Sequence, residues 1–264
     1  MKRLEVVAAA LAAVIGAPAM AADMPVKTPT PAKVASVYNW TGFYTGGNAG
    51  FSWGHFDTTY NPSGPPNGVL LGDQASISAA GSRNFNSDSF VGGVQVGFNY
   101  QFATNWVLGI EADFQAFDFS GSFNREFFTA LGNQQFTHTA VGATWLFTTR
   151  GRLGYAADRL LIYGTGGLAV AKINFNQVNT LPDYPFTDIF SVSDTKTGWA
   201  AGGGVEYAFL NNWSVKVEYL YVDLGTVSGT SSTVALNPAA PGSFGHNADF
   251  RANIVRAGFN YKFY

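Results

Sequence analysis

From Trp40 onward, apolar and polar residues alternate with a period of two through eight stretches. These run over about 40–54, 89–102, 106–119, 142–155, 159–173, 196–209, 213–224 and 250–264. A period of two places successive side chains on opposite faces of an extended strand. In the second stretch Phe90, Val94, Val96, Phe98, Tyr100 and Phe102 share one face, with Gln95, Asn99 and Gln101 on the other. In the third, Trp106, Leu108, Ile110, Ala112 and Phe114 oppose Glu111, Asp113 and Gln115. The fourth sets Trp145, Phe147, Leu153 and Tyr155 against Arg150 and Arg152. The seventh sets Trp213, Val215, Val217, Tyr219 and Tyr221 against Ser214, Lys216 and Glu218. In the eighth, Val255, Ala257, Phe259, Tyr261 and Phe263 oppose Arg256, Asn260 and Lys262. The fifth stretch does not alternate cleanly and receives no faces.

Three connections are short and alike: Phe102–Trp106, Tyr155–Arg159 and Phe209–Trp213. Each leaves a strand at an aromatic and turns on small or Asn/Asp residues, as hairpin turns do. The other four connections, about 55–88, 120–141, 174–195 and 225–249, are long and hold Pro, Gly, Asn and Ser clusters such as Asn61-Pro62-Ser63-Gly64-Pro65-Pro66. Eight strands with alternately tight and long connections predict an all-β fold. It is an eight-stranded antiparallel transmembrane β-barrel with short periplasmic turns and four long extracellular loops.

Alternation alone fits a soluble barrel with the faces reversed. Three features decide between them. Trp106, Tyr155, Phe209, Trp213 and Phe263 fall at the tight-turn end of the apolar face, as an interfacial girdle requires. The polar face carries both signs at mid-strand, with Glu111, Asp113, Glu206 and Glu218 against Arg150, Arg152, Lys216 and Arg256. The rest of that face is Gly, Ser, Asn and Gln, which would make a poor apolar core. Composition agrees. Charged residues make up 12% and aromatics 16%, yet there are 31 Gly and mean hydropathy is only +0.05. That mixture fits a wall with lipid on one side and a polar lumen on the other. There is no Cys, and a net charge of −2 gives no electrostatic case for nucleic acid.

The N-terminus, MKRLEVVAAALAAVIGAPAMAAD, has Lys2 and Arg3 before an apolar run from Val6 to Ala17. That run is too short for a membrane helix, and Ala19-Met20-Ala21 suits signal cleavage. Residues 1–21 are expected to be a signal peptide, 22–39 a Pro-rich periplasmic linker and 40–264 the barrel.

Three segments carry a family resemblance: Trp40-Thr41-Gly42-Phe43-Tyr44-Thr45-Gly46-Gly47-Asn48-Ala49-Gly50, then Arg150-Gly151-Arg152-Leu153-Gly154-Tyr155, then Val255 to Phe263. They resemble the small alphaproteobacterial outer-membrane proteins of the porin-like, immunogenic family, which are similar to the transmembrane barrel of OmpA. The resemblance implies an integral protein of the cell outer membrane among lipids and lipopolysaccharide. It also implies a C-terminal aromatic read by the barrel-assembly machinery; here Tyr261, Phe263 and Tyr264 are the candidates.

An eight-stranded barrel is barely wide enough for its own side chains. The eight lumen charges, Glu111, Asp113, Arg150, Arg152, Glu206, Lys216, Glu218 and Arg256, are expected to form a salt-bridged plug, with a narrow ion path and weak porin activity as the alternative. No cofactor, metal site or catalytic residue is predicted. His55, His138 and His246 fall in the long connections without ligand spacing. A surface receptor for haem or another ligand stays open as a second function. The Phe-rich 120–141 segment, with Phe123, Phe127, Phe128 and Phe136, is expected either to meet a partner or lipopolysaccharide or to fold back on the rim. A lipid A-modifying enzyme would need a Ser-His-acid set, and only His138 has hydroxyls beside it, Thr137 and Thr139, without an acid. Gly202-Gly203-Gly204 and Gly164-Thr165-Gly166-Gly167 lack the Lys-Ser/Thr of a phosphate loop.

Overall fold

The computed structural model describes residues 38–63, 73–183, 186–233 and 242–263. The expected signal peptide, nearly all of the linker and Tyr264 lie outside them. Eight strands form: β1 (Gly42–Ser63), β2 (Arg83–Phe102), β3 (Trp106–Phe128), β4 (Gln134–Ala157), β5 (Leu160–Leu181), β6 (Phe186–Ala208), β7 (Trp213–Thr233) and β8 (Gly242–Lys262). Each pairs antiparallel with its neighbour, and β1 pairs with β8 to close the barrel. The three tight turns fall where the sequence puts them. Ala103, Thr104 and Asp158 all take positive φ there. Only Asp158 is a residue type that favours that conformation.

The long connections are different from the expectation. Most of 55–63, 83–88, 120–128, 134–141, 174–181, 186–195, 225–233 and 242–249 is strand, and the β1–β2 connection contains the helix α1 (Gln74–Gly81). The strands therefore run 20–24 residues, about twice the 9–11 needed to cross a bilayer. The reason is an inversion of polarity. On β8 the outward residues Val255, Phe259 and Phe263 are exposed and apolar, while inward Arg256, Asn260 and Lys262 are buried. Higher on the same strand, outward Asn247, Asp249 and Arg251 are polar, and inward Phe244, Ala248, Phe250, Ala252 and Ile254 are buried. β1 changes in the same way, from exposed Phe51 and Trp53 to outward His55, Asp57, Thr59 and Asn61 above inward Phe56. The lower half is built for lipid outside and the upper half for water outside.

Two rings of aromatics bound the lipid-facing half. Phe43, Tyr155, Tyr207 and Trp213 lie below; Trp53, Trp145, Trp199 and Tyr221 lie eight to ten residues further along the same strands. At about 3.4 Å per residue and a tilt of about 40°, that spans roughly 21–26 Å, the height of an outer-membrane apolar band.

Register shifts mark the change of environment on three strands, between Ala116 and Phe119 of β3, Ala143 and Leu146 of β4, and Asp223 and Gly225 of β7. A bulge inserts one residue and re-aims the side chains beyond it. On β4 and β7 it swaps which parity faces inward, which is why alternation read from the sequence stops there. Above this level, among the described residues, β2 and β3 are paired only up to Val91–Phe117, and β6 and β7 only up to Trp199–Asp223. The closed cylinder thus opens into two four-stranded sheets, β7-β8-β1-β2 facing β3-β4-β5-β6. Phe119 of one sheet lies 5.3 Å from both Phe56 and Phe250 of the other, ring centre to ring centre. The extracellular half is a β-sandwich, apolar in its core next to the barrel.

Candidate functional site: a stratified lumen

The lumen is layered from the periplasm outward. The floor is apolar: Tyr38, Trp40, Val107, Ala156, Leu161, Tyr163 and Ala208. Tyr38 and Asn39, expected at the end of the linker, belong to this floor. The Tyr38 amide donates to Asp158 Oδ1 at 2.8 Å, and Trp40 Nε1 donates to the Asp158 carbonyl at 3.0 Å. The Lys262 ammonium sits 4.3 Å from the Tyr38 ring centre and donates to the Asn39 carbonyl.

Above the floor lies an ionic layer, and the structure brings all eight charges expected in the lumen into it. All are buried. Arg150 Nη2 donates to Glu111 Oε1 at 2.8 Å and Asp113 Oδ2 at 2.7 Å, and its Nη1 to Glu218 Oε1 at 3.2 Å. Arg256 joins Asp113 Oδ1 at 3.0 Å to Glu218 Oε2 at 2.5 Å. Lys216 Nζ donates to both Glu111 oxygens, at 2.9 and 2.8 Å. Arg152 Nη2 donates to Glu206 Oε2 at 2.8 Å, and its guanidinium lies 4.0 Å over the Tyr163 ring. Four acids meet four bases, so the layer is neutral. Burying the charges is tolerable because each is paired, seven of the eight with partners on more than one strand and Lys216 with both oxygens of Glu111.

Three neutral side chains complete the layer: Ser214 and Asn260, which the alternation already places on the polar face, and Tyr44, which it does not. The Tyr44 hydroxyl donates to Glu111 Oε2 at 2.8 Å and accepts from Arg152 Nη1 at 3.0 Å. It fits because residue 97 is glycine; a Cβ there would sit 2.4 Å from the Tyr44 ring and hydroxyl. Glu206 Oε1 accepts from Ser214 and Asn260.

The third layer is the apolar slab where barrel becomes sandwich. It includes Phe56, Val91, Phe117, Phe119, Leu146, Ile173, Phe175, Leu220, Phe250 and Ile254. A fourth, polar layer lies above it beneath α1. It holds Tyr60, Gln135, Thr137, Thr139, Gln177, Asn179, Asp188 and His246, all buried.

The three histidines, expected in loops, all stand on strands. His55 faces outward on β1, and His138 faces outward on β4 with its Nδ1 2.5 Å from Asn124 Oδ1. His246 is 0% exposed in the upper lumen. It brings together the residue types of a hydrolase triad, which the sequence did not reveal because Asp188, Ser231 and His246 come from three strands. Their arrangement differs from a triad. Ser231 Oγ is 2.8 Å and Asp188 Oδ2 3.4 Å from the same nitrogen, Nε2, and Ser231 donates directly to Asp188 Oδ1 at 2.5 Å. Nδ1 faces Gln177 Oε1 at 2.8 Å instead of an acid. Among the described residues no three His, Cys, Asp or Glu side chains group as metal ligands. Of the Phe-rich segment, Phe123 lies under the Arg83 guanidinium at 5.7 Å, while Phe128 and Phe136 are exposed.

A closed antiparallel barrel with a lipid-facing apolar band and a charge-filled interior is an integral outer-membrane protein. Comparison with known families makes this specific. Residues 7–263 match the model of the outer membrane protein β-barrel domain family, and the chain belongs to that family. It is 37% identical over 261 residues to the 31 kDa outer-membrane immunogenic protein of Brucella melitensis biotype 1, covering 98% of this chain and 99% of the relative. It is 27% identical to the 22 kDa outer membrane protein of Rhizobium leguminosarum bv. viciae, covering 88% and 82%. Among solved structures it resembles the outer membrane protein OprG from Pseudomonas aeruginosa, with 13% identity, a TM-score of 0.45 and coverage of 86% of this chain and 98% of that one.

Proposed function

We propose that the protein is a closed, non-enzymatic barrel that anchors a rigid β-sandwich at the cell surface, with a structural role in the envelope and no porin activity. The observation that carries this reading is the apolar slab between the ionic layer and the polar upper lumen. An ion crossing the barrel would have to shed its water among Phe56, Phe117, Phe119 and Phe250, at a desolvation cost of many kcal/mol. The ionic layer below offers no free charge to compensate. The eight charges then hold the strands in register and do not conduct. The polar outward wall above Trp53 and Trp199 has the chemistry to stand among the sugars and phosphates of lipopolysaccharide. Tyr261, Phe263 and Tyr264 are the aromatic signal offered to the assembly machinery. Planar-bilayer recording of refolded protein tests closure: a flat baseline is expected, and steady single-channel steps would overturn it. Lipid A from cells expressing the protein is expected to be unmodified by mass spectrometry.

A further inference from the structure

The upper wall has a gap between β2 and β3. Above Val91–Phe117 the two strand edges share no ladder, and a cavity of about 950 Å³ lies in that seam. β1 and β2 line it with His55, Asp57, Asn84 and Asn86, cross-strand neighbours in the register Asp57–Asn84 and His55–Asn86. β3 adds Ser122 and Asn124 from its outward parity and Phe123 from the parity of buried Phe117 and Phe119. A continuous sheet presents only one parity to a groove on its surface. Here both parities of β3 line the same space, so the cleft enters the wall. Its volume is at the upper end of small-ligand sites.

Two cross-links frame the cleft. Below it Ser87 Oγ donates to the Ser120 carbonyl at 2.6 Å, and above it Arg125 Nη1 donates to the Ala79 carbonyl of α1 at 3.4 Å. An added peptide strand needs about 4.8 Å on either side, and at Ser87 the two edges are already joined, so no strand can run along the seam past that point. The lining argues against an acyl chain, because every lining side chain but Phe123 is polar. It argues equally against a simple anion, because Asp57 stands beside Arg83 in the same lining. What the cleft offers is unused hydrogen bonding. Among the described residues, the side chains of His55, Asp57, Asn84 and Asn86 have no partner within the protein. The Arg83 guanidinium lies 5.7 Å over the Phe123 ring, which holds its donors in the cleft. Amide, carboxylate and guanidinium groups each present two adjacent donor or acceptor atoms in one plane. Two neighbouring ring hydroxyls of a sugar match that pattern.

The height of the cleft selects the sugar. His55 stands two residues beyond Trp53 of the upper aromatic ring, and Arg83 pairs with Thr58, five residues beyond it. At the same rise and tilt as the apolar band, the cleft spans roughly 5–13 Å above that ring. This is outside the acyl chains, at the level where the outer leaflet presents saccharide. We propose that the β2–β3 cleft is a lateral binding site for the core oligosaccharide of a lipopolysaccharide molecule standing beside the barrel, held through its sugar hydroxyls. The site deepens, and rests on, the reading of the upper wall as standing among lipopolysaccharide sugars; it is independent of whether the barrel conducts. Ser122 and Asn124 also line two smaller cavities, of about 430 and 340 Å³, over β3, β4 and β5. A saccharide chain leaving the cleft therefore has further concave surface beside it.

Amide spectra of protein refolded into phospholipid nanodiscs free of lipopolysaccharide test the site. The probe is the oligosaccharide released from lipid A by mild acid hydrolysis of lipopolysaccharide from the bacterium that makes the protein. Saturable shifts confined to residues 55–57, 83–86 and 122–124 are expected, with a Kd of about 1 mM, the scale for a few solvent-exposed hydrogen bonds. Asn84→Leu combined with Asn86→Leu, both exposed positions, is expected to weaken binding tenfold or more at an unchanged urea midpoint. Ser228→Leu, exposed on β7, is expected to leave binding as it is. A wild-type spectrum that does not move at about 20 mM oligosaccharide, well above that Kd, overturns the proposal whether or not the variants fold. Equal shifts at the cleft with inorganic phosphate, or with an extended peptide of unrelated sequence, overturn it as well. Shifts scattered over the whole wall above Trp53 overturn the cleft as a site and leave the broader contact with lipopolysaccharide standing, whereas silence of that entire wall overturns both. Bilayer recording reads closure separately.

Discussion

Removing the carboxylate of Asp113 is the most direct test of the ionic layer. Asp113 accepts from Arg150 at 2.7 Å and from Arg256 at 3.0 Å, and also from Thr148 and Gln115. At an effective dielectric of about 20, each ion pair at such distances is worth roughly 6 kcal/mol of Coulomb energy, much of it offset by desolvation. In Asp113→Ala the offset is not recovered, because both guanidiniums remain buried. The layer then changes from four acids and four bases to three and four. The expected loss is about 3–5 kcal/mol, the range for breaking one partner out of a buried ionic set. Asp113→Asn paired with Arg256→Met restores neutrality, with three of each sign. It should recover at least about 2 kcal/mol relative to the sum of the singles, since contacting residues in one network are strongly non-additive. Urea unfolding in lipid vesicles, followed by Trp fluorescence, measures Asp113→Ala, the two singles and the double variant. A stability for Asp113→Ala within about 0.5 kcal/mol of wild type, the scatter of an ordinary surface change, would refute the idea that buried charge balance holds the lumen. Strict additivity in the double variant would refute it equally.

Four further outcomes follow from the same layering. Phe56→Ala in the slab, at 0% exposure, should cost about 3–5 kcal/mol, whereas Phe51→Ala, at 66% and facing lipid, should cost only the transfer term of about 2 kcal/mol, because acyl chains fill the space; unfolding of the two variants side by side checks this. Gly97→Ala should cost about 1–3 kcal/mol by forcing the Tyr44 hydroxyl off Glu111, seen as a lowered urea midpoint. Asp158→Gly, which deprives the Tyr38 amide of its acceptor and tolerates the positive φ of that turn, should expose residues 38–41 to protease at least several-fold faster while leaving the barrel's unfolding midpoint within error. Asp188 gives an acid-side test. Burial works to raise its carboxyl, but hydrogen bonds from His246 and Ser231 outweigh that and hold it below the usual carboxylate range. A lowered carboxylate contributes stability that is complete above its unfolded value of about 4 and is lost only as pH falls through the lower folded value. Near-ultraviolet circular dichroism should therefore stay native at pH 4 and change below it, and Asp188→Asn should remove that step.

The lower half of the molecule was legible because its chemistry and its period agree. Outward Val94, Ile110, Val217 and Phe259 against inward Gln95, Glu111, Glu218 and Arg256 give a clean two-residue alternation, and tight turns set its ends. The fifth strand was not legible in faces because Tyr163 and Ala169 point inward and Ile162 and Leu168 outward, so no polarity contrast exists. The upper strands look like loops in the sequence for a different reason. Their outward polar residues, Asn174, Asn176, Asn247 and Asp249, resemble loop composition, and the bulges on β4 and β7 break the phase just where the environment changes. The same composition puts His246 in an expected loop.

The sequence by itself determined the eight strands across the membrane, the orientation of their faces and the eight charges turned inward. These depend only on local period and side-chain type. The tertiary structure decided what a one-dimensional pattern does not contain: that Arg150 meets Glu111, Asp113 and Glu218 together, that the faces exchange roles above the second aromatic ring, and that Ser231, Asp188, His246 and Gln177 converge under α1. Each of these joins residues from strands far apart in the chain, and only closure of the barrel and the fixed stagger of its strands bring them to the same height.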